Sequence, residues 1–275
     1  MLTRKEAISF LNIPEKNFDN YFKVSHEIAG SKEGNRWKFD QNALSQWATN
    51  REYNTVKLSL DVYQECFEFA IKMAYLTNSG HGTGIRGQRS EVQVVDDFIL
   101  GILAERGVAK FMKEKYETEV GIDMELHPYK ITPQDLVSIV HDGLKRPPKL
   151  KVGIKSSKVK NCYNIIDPLE YENAERKSDV YIFARVDLPS DHLFRILRDH
   201  SFFKTTRKFL EQNENFRKIG TLEAISVWVC GFSYIGEFNK VSEIPNLKFN
   251  GKRYVKCVGE MHHSTEEWIE LISNI

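Results

Sequence analysis

The sequence predicts a mixed α/β fold, and three stretches carry that prediction. The nearly unbroken apolar run SDVYIFARV at 178–186 predicts a buried central strand. The stretch 133–160 predicts two further strands, with turn-forming glycine and proline residues between them. From Glu91 onward, apolar side chains recur at helical spacing and predict a long helix with a broad buried face.

The composition is typical of a folded protein and gives no global signal for a nucleic-acid partner. Hydrophobic residues make up 41% of the chain and charged residues 28%, which is the balance of a globular protein rather than a disordered one. The 39 Lys and Arg residues nearly balance the 38 Asp and Glu residues. Any basic surface that binds nucleic acid must therefore be local.

The cysteines and the hydropathy pattern bear on the cellular setting. The four cysteines are far apart, and none has the C-x-x-C spacing of a zinc ribbon or a redox motif. The N-terminal MLTRKEAISF is too short and too polar for a signal peptide. The chain has no run of about 18 apolar residues, so we expect no membrane span and no membrane partner. We expect a cytoplasmic protein whose cysteines are reduced.

Residues 1–52 predict a small head in front of the main domain. Thr3 and Glu6 have the spacing of a capping box, which predicts that a first helix begins there. The helix is expected to end at Asn12-Ile13-Pro14, because proline cannot continue it. Glu15–Phe22 then predicts a second helix with aromatic residues on one face.

The rest of the head predicts a hairpin and a third helix. A polar loop turns at Gly34-Asn35, and Asp40 is placed to cap a helix that ends near Trp47–Thr49. Helix, tight turn, helix, hairpin and helix together form the pattern of a winged helix-turn-helix domain.

The head also carries a resemblance to a known family. The segments LTRKEAISFLNIPEKNFDNYFK and GNRWKFDQNALSQW resemble the excisionase and MerR-type DNA-binding domain. The resemblance implies that the second helix enters the major groove and that the wing follows the DNA backbone. The residues it places against DNA are Lys16, Asn17, Asn20 and Lys23 on the helix and Lys32, Asn35 and Arg36 on the wing. The alternative is a head that docks onto the main domain or mediates dimerisation.

After the head, Thr55–Leu60 leads into a predicted helix over Asp61–Thr77. The following GTGIRG at 82–87 has the formal spacing of a dinucleotide-binding loop, but that fingerprint must follow a strand and here a helix precedes it. Two interpretations remain for this loop. Either Arg86 and Arg89 contact a phosphate backbone, or the loop is a plain connection.

An acid and a lysine stand on the two strands predicted within 133–160. Asp135 opens the strand Asp135–His141, and Lys155 lies near the end of the strand Leu150–Ser156. On neighbouring strands both side chains would meet at one sheet edge, which is the minimum arrangement for holding a divalent metal and activating water. The same residue types are common in solvated β-hairpins, so the surrounding segments decide between the two interpretations.

Four segments in order carry a second resemblance: the helix GILAERGVAKF, then PQD, GIKSSK and KSDVYIFARV. Over roughly residues 90–200 this order resembles the PD-(D/E)XK nuclease fold of type II restriction endonucleases. The resemblance implies a mixed sheet flanked by helices. It also implies that Asp135 binds Mg²⁺, that Lys155 positions and activates water, and that Glu105 on the helix contributes through the metal or water.

The sequence departs from the nuclease motif at one position. The motif has an acid two residues before the lysine, and here that residue is Gly153, which cannot bind a metal. The candidates for a displaced acid are, in order, Glu105, Glu170 and Glu172. Asp142 is a weaker alternative to Asp135, because Asp142-Gly143 is better suited to a turn.

The remaining segments carry weaker signals. Residues 159–177 are polar and predict irregular structure, and His192 and His200 are expected at the surface or at helix caps. Met261-His262-His263 does not predict a metal site, because adjacent side chains on regular structure point in different directions. Residues 201–275 predict strands and a terminal helix, which we assign to target recognition or dimer contacts by position alone.

Two functional hypotheses follow. The first is a Mg²⁺-dependent type II restriction endonuclease that cleaves double-stranded DNA as a homodimer, with a DNA-binding head at 1–52 and a nuclease domain at 53–275. The second is a non-enzymatic DNA-binding regulator of excisionase or MerR type with a large partner or sensing domain. Gly153 favours the second hypothesis, and the order Glu105, Asp135, Lys155 favours the first.

Overall fold

The computed structural model describes residues 1–76, 90–126, 134–141, 143–212, 214–215, 218–245 and 247–275. Over these residues the chain is a mixed α/β protein, as the sequence predicts. None of the helices in the described ranges combines the length and the apolar character needed to cross a bilayer.

The head contains three helices and a small sheet. Its elements are β1 (Leu2–Thr3), α1 (Arg4–Leu11), α2 (Glu15–Asp19), a π-helical turn (Asn20–Val24), β2 (Ser31–Glu33), β3 (Arg36–Phe39) and α3 (Gln41–Tyr53). The capping box at the start of α1 is confirmed, since the Glu6 carboxylate accepts a hydrogen bond from Thr3 N at 2.7 Å. Asp40 caps α3 by accepting a bond from Ala43 N at 2.8 Å.

Two boundaries in the head differ from the sequence prediction. The second helix changes to a π-helical turn after Asp19, and the third helix continues to Tyr53 instead of ending near 47–49. Side chains near both boundaries contact the main body. The rings of Tyr21 and Trp47 lie 6.0 and 6.3 Å from the ring of Trp228, centroid to centroid. Arg51, in the added part of the third helix, lies 4.8 Å from the centroid of the same Trp228 ring.

The main body contains ten strands and six helices within the described residues, besides short 3₁₀ turns. These elements are β4 (Thr55–Leu58), α4 (Leu60–Leu76), α5 (Glu91–Tyr116), β5 (Glu119–Ile122), β6 (Leu136–His141), β7 (Leu144–Arg146), β8 (Val152–Lys158), β9 (Tyr163–Ile166), α6 (Pro168–Tyr171), β10 (Val180–Val186), α7 (His192–Leu197), α8 (Lys204–Gln212), β11 (Ile225–Tyr234), β12 (Asn239–Ile244), β13 (Leu247–Cys257) and α9 (Thr265–Asn274).

The central sheet has the strand order β4-β11-β10-β8. Strands β8 and β10 are parallel, whereas β11 pairs antiparallel with β10 and β4. Every residue of β10 is buried, which confirms the central strand predicted from SDVYIFARV. Burial on both faces has a clear cause: Val180, Ile182 and Ala184 join the core under α5, while Phe183 joins a cluster shared with the head.

The strand pairing within 133–160 differs from the hairpin that the sequence predicts. β6 pairs with β5 and β7 in a separate three-stranded sheet, and β8 joins β10 in the central sheet. The chain turns back at Gly143, whose φ of +77° lies in the left-handed region that glycine favours. The return strand β7 ends at Pro147-Pro148, which offer no backbone N–H for a further ladder bond.

The segment 159–177 is also more regular than predicted. It contains β9 and α6, and β9 is the edge strand of a sheet with the order β12-β13-β9. The strand is only four residues long, with polar sequence on both sides, so its local pattern is too short to stand out. Its pairing with Tyr254–Cys257 of β13 is what makes it a strand.

The head docks onto the main body through an apolar cluster and a buried ion pair. Phe18, Tyr21 and Phe39 of the head share the cluster with Phe183 and Trp228 of the central sheet. Beside it, the guanidinium of Arg185 binds both carboxylate oxygens of Glu27, at 2.8 and 3.0 Å. Both side chains are withdrawn from water, with exposed fractions of 0% for Arg185 and 5% for Glu27.

Candidate active site

Lys155 projects from β8 next to the buried strand β10. In the parallel register it lies opposite Phe183. Its Nζ lies 2.8 Å from Oε1 and 3.0 Å from Oε2 of Glu170, and 5.8 Å from the ring centroid of Tyr181. The two paired side chains are partly exposed, at 28% for Lys155 and 27% for Glu170. The ion pair is therefore neither fully buried nor fully exposed.

Glu170 is positioned by the short helix α6. The helix begins with Pro168, and the Asp167 side chain caps it by accepting a hydrogen bond from Leu169 N at 2.9 Å. This start signal follows directly after β9, so the strand and the cap together place Glu170 beside β8.

Asp135 is fixed against β8 although β6 does not pair with that strand. Its backbone N donates a hydrogen bond to Val152 O at 2.9 Å. Its Oδ2 accepts a hydrogen bond from Ile154 N at 2.5 Å. These two bonds flank Gly153, so Asp135 lies next to the position where the nuclease motif would carry its second acid.

Glu105 on α5 belongs to the same electrostatic group. Burial raises the pKa of Glu105 well above its ordinary value, and the negative charge of Asp135 raises it further. The positive charge of Lys155 acts in the opposite direction. The helix thus brings its carboxyl group close enough to Asp135 and Lys155 for their charges to act on it.

The titration of the other two groups shows the same coupling. Burial raises the pKa of Asp135, and the charge of Lys155 and the Ile154 N–H oppose this rise. Burial alone would lower the pKa of Lys155, but the charges of Glu170 and Asp135 outweigh burial and raise it. Lys155 is therefore positively charged throughout the physiological pH range.

The structure adds Asp123 to the group, a residue that sequence reasoning missed. It directly follows β5, and its backbone N donates a hydrogen bond to Asp135 O at 3.1 Å. Its charge raises the pKa of both Glu105 and Asp135. The sequence signal that could have identified Asp123 was an acid at the end of a short strand before the 133–160 segment. The strand Glu119–Ile122 itself was not predicted.

The geometry at Gly153 explains why no acid stands there. A β-carbon at this position would lie 2.6 Å from Ser178 Oγ and 3.2 Å from two ring carbons of Tyr181. The Tyr181 hydroxyl is in turn held by a hydrogen bond from Ser178 N at 3.1 Å. The space that an acidic side chain would need is therefore filled by a fixed tyrosine.

The three candidate substitutes for this acid occupy different places. Glu105 is electrostatically coupled to Asp135, and Glu170 contacts Lys155 directly. Glu172 instead pairs with Lys240 and accepts a hydrogen bond from the Tyr254 hydroxyl at 2.9 Å, on the β12-β13-β9 sheet. Glu105 and Glu170 therefore belong to the group around Lys155, and Glu172 lies apart from it.

The donor set can be compared with what a metal ion requires. Among the described residues, no three or more His, Cys, Asp or Glu side chains are arranged as a ready metal site. The carboxylates that converge on Lys155 are nevertheless hard oxygen donors of the kind that Mg²⁺ prefers. The raised pKa values of Glu105 and Asp135 mark a place where negative charge is costly and a cation would relieve that cost. In donor chemistry these residues fit Mg²⁺.

The residues expected to face DNA are distributed unevenly over the head. Exposed side chains belong to Lys16, Lys23, Lys32, Asn35 and Arg36, whereas Asn17 and Asn20 are half-buried. Asn20 lies on the docked side, because its carbonyl accepts a hydrogen bond from the Cys162 thiol of the main body at 3.7 Å. Arg86, Arg89 and Asp142 lie outside the described residues.

His192 is neither at the surface nor a cap, contrary to the sequence prediction. It is 1% exposed, with Nδ1 2.6 Å from the Tyr63 hydroxyl and Nε2 2.7 Å from Asp96 Oδ1. The other Asp96 oxygen lies 3.2 Å from Lys158 Nζ. Burial is tolerated because both ring nitrogens are hydrogen-bonded. His200, by contrast, does act as a cap, accepting a bond from Phe202 N at 3.3 Å.

Comparison of the chain with protein-family models, with curated proteins and with solved structures gives no match. The functional argument therefore depends on the chain's own residues.

Proposed function

We propose that the protein is a Mg²⁺-dependent endonuclease of the PD-(D/E)XK type that cleaves double-stranded DNA in the manner of a type II restriction enzyme. The observation that carries the proposal is the convergence of Asp135, Glu105 and Glu170 on Lys155 beside Gly153. This is the set of groups that metal-assisted hydrolysis of a phosphodiester requires.

The order of elements around the site supports the same proposal. Helix α5 precedes β5 and β6, then β8, the short helix α6 and β10, with β8 parallel to β10. The order of these elements is the one expected of this nuclease family. First comes a helix that carries an acid, then a strand preceded by an acid, and then a strand that carries a lysine. The departure lies at Gly153, where Glu105 would take the part of the missing acid.

In the proposed mechanism each residue has a defined task. Asp135 and Glu105 would hold Mg²⁺, which when bound supplies Lewis-acid activation of water and neutralises charge on the phosphate. Lys155 keeps its proton and would stabilise the attacking water as that water releases a proton to solvent. The new P–O bond forms in line with the leaving oxygen, whose bond to phosphorus breaks and which then takes a proton from solvent. Glu170 orients the Lys155 ammonium group through its ion pair.

DNA binding is assigned to the head in this proposal. The exposed cations on α2 and on the β2-β3 wing would contact phosphates, and Asn35 would contribute from the tip of the wing. Asn17 and Asn20 are half-buried at the edge of this surface, and Asn20 lies on the side that contacts the main body. Cutting both strands of a symmetric site would require a homodimer.

Plasmid cleavage tests the proposal. With Mg²⁺, the protein is expected to nick or linearise plasmid or phage DNA that contains its target, and Lys155→Ala is expected to reduce the rate about 10²–10³-fold, the usual effect of removing one transition-state donor. Glu172→Gln is the matched control, because Glu172 is an acid two residues from Glu170 that bonds elsewhere.

The results separate the possibilities clearly. Full-rate cleavage by Lys155→Ala would reject the assignment of the active site to Lys155. The protein would still be a nuclease, with its active site elsewhere in the chain. No cleavage across many DNA sequences, together with DNA binding that survives chelation of Mg²⁺, would instead support the non-enzymatic regulator, the alternative that Gly153 favours.

A further inference from the structure

Strands β12 and β13 form a two-stranded ribbon with little of the core beneath it. Residues 239–245 and 247–254 are exposed or half-buried throughout, and burial begins only at Val255. From Tyr254 onward β13 also pairs with β9, which ties the ribbon to a three-stranded sheet. A two-stranded ribbon alone is marginally stable in water, so this pairing supports the part that projects into solvent.

The ribbon carries a local surplus of positive charge. Between residues 239 and 256 the cations outnumber the acids five to one, although the whole chain is balanced at 39 to 38. The cations are Lys240, Lys248, Lys252, Arg253 and Lys256, and the acid is Glu243. The ribbon is thus the kind of local basic surface that a nearly neutral chain needs in order to bind a polyanion.

Three lysines of the ribbon are free to contact a ligand. Within the described ranges their ammonium groups have no ion-pair or hydrogen-bond partner: Lys248, Lys252 and Lys256. Lys248 and Lys252 are exposed and stand near Asn250-Gly251, where residues 249–252 bulge out of the ladder with β12. The charge of these two lysines is therefore available to a phosphate group.

The base of the ribbon contacts the helix that positions the candidate site. Helix α6 carries Glu170, which pairs with Lys155. The next residue, Tyr171, stacks its ring on that of Tyr254 in β13, with centroids 3.8 Å apart. The helix has four residues and is about 6 Å long, against roughly 34 Å for one turn of DNA. A duplex with a phosphate at Lys155 is therefore long enough to reach the ribbon as well.

We propose that the ribbon of β12 and β13 binds the same DNA duplex whose phosphate lies at Lys155. The inference rests on the proposed nuclease function and adds a second DNA contact to that of the head. Two properties identify duplex DNA as the occupant. The unpaired lysines complement the charge of the phosphate backbone, and the major groove of B-DNA admits a two-stranded β-ribbon.

The salt dependence of DNA binding in EDTA tests the inference without cleavage. Fluorescence anisotropy of a labelled mixed-sequence duplex gives the association constant K at salt concentrations between about 50 and 200 mM. Each lost lysine–phosphate contact makes the slope of log K against log salt shallower by about 0.9. The double variant Lys248→Gln/Lys252→Gln is therefore expected to have a slope shallower by about 2 than that of the wild type. Its melting temperature should stay unchanged, because both side chains are exposed.

Two exposed lysines outside the ribbon provide the matched control. Lys57 lies on β4, at the opposite edge of the central sheet from β8, and Lys72 lies on α4. Lys57→Gln/Lys72→Gln removes the same charge and is expected to keep the wild-type slope. Equal slopes in the wild type and the ribbon variant, or equal losses in the ribbon and control variants, would overturn the inference.

The failure of this inference is distinguishable from failure of the nuclease proposal. A slope that depends on the ribbon lysines, in a protein that cleaves no DNA, would uphold the ribbon contact and reject the catalytic mechanism. Mg²⁺-dependent cleavage by a protein whose slope ignores the ribbon lysines would do the reverse.

Discussion

The site around Lys155 shows how one residue shapes its surroundings. Gly153 leaves room for Tyr181 to pack against β8, and the tyrosine is fixed by the bond from Ser178 N to its hydroxyl. The acids that act on Lys155 then come from other elements: Asp135 before β6, Glu105 on α5 and Glu170 on α6. The charged groups that act on Lys155 therefore come from segments that are distant in sequence.

Restoring the motif acid at Gly153 is expected to damage the fold. The new β-carbon in Gly153→Asp would meet Ser178 Oγ at 2.6 Å, so the variant should be about 1–3 kcal/mol less stable in urea unfolding, the usual cost of overpacking. Gly101→Ala is the control, because a β-carbon there meets nothing within 4 Å. In the helix α5 this control should add roughly 0.5–1 kcal/mol. A Gly153→Asp protein of wild-type stability and faster Mg²⁺-dependent cleavage would contradict this account.

At the scale of elements, the C-terminal helix α9 is anchored at its start by a charged cluster. His262 Nδ1 lies 2.7 Å from Glu267 Oε1, and Nε2 lies 2.9 Å from Glu237 Oε1. Burial would lower the pKa of His262, but the bonds to Glu237 and Glu267 outweigh it and raise the pKa. Trp268, the residue after Glu267, is fully buried and packs the same helix against the core.

The raised pKa of His262 predicts how this anchor depends on pH. A group whose pKa is higher in the folded than in the unfolded state stabilises the fold fully below its unfolded value of about 6.5, and this contribution is lost as pH rises through the folded pKa. The wild-type melting temperature should therefore fall more between pH 6 and pH 8 than that of His262→Gln. Parallel curves for the two proteins would show that the cluster does not contribute.

The cluster also has an acid side. Burial would raise the pKa of Glu267, but hydrogen bonds from His262, Ser264 and His263 lower it to about 2. A lowered folded pKa stabilises the protein above the unfolded value, and this contribution is lost as pH falls through about 2. The two effects together place the greatest stability of this anchor between the unfolded pKa of the glutamate and the unfolded pKa of the histidine, about 6.5.

At the scale of the whole molecule, the head and the main body share an interface that extends to the β8–β9 connection. Arg185 binds Glu27 of the head and also donates to the backbone carbonyl of Asn161 in the β8–β9 connection. The guanidinium also lies 4.6 Å from the ring of Trp228. A change in the head can therefore reach the β8–β9 connection through a single buried side chain.

Breaking this interface is expected to cost far more than breaking a surface pair. Glu27→Gln leaves the buried Arg185 charge without its partner, so urea unfolding should show a loss of about 3 kcal/mol, the low end for removing one member of a buried pair. Glu119→Gln is the matched control, because its ion pair with Lys113 at 2.6 Å is largely exposed and should contribute little to stability. Similar losses in both variants would contradict the proposed role of the interface.

Local signals predicted several elements of the fold. The capping box at Thr3, the cap at Asp40, the long helix from Glu91 and the buried strand SDVYIFARV are all present, because each depends on residues close together in sequence. The resemblance to the nuclease motif, rather than a local pattern, selected Glu105, Asp135, Lys155 and Glu170, and the charges of these groups do act on one another.

Contacts between distant segments decided the rest. The pairing of β8 with β10 instead of β6, the strand β9, the burial of His192 and the presence of Asp123 all depend on neighbours that no local pattern names. The sequence by itself determined which chemical groups were available and which helices and central strand would form. The tertiary structure decided which groups meet, because sheet pairing and burial are energies of the whole chain rather than of any one segment.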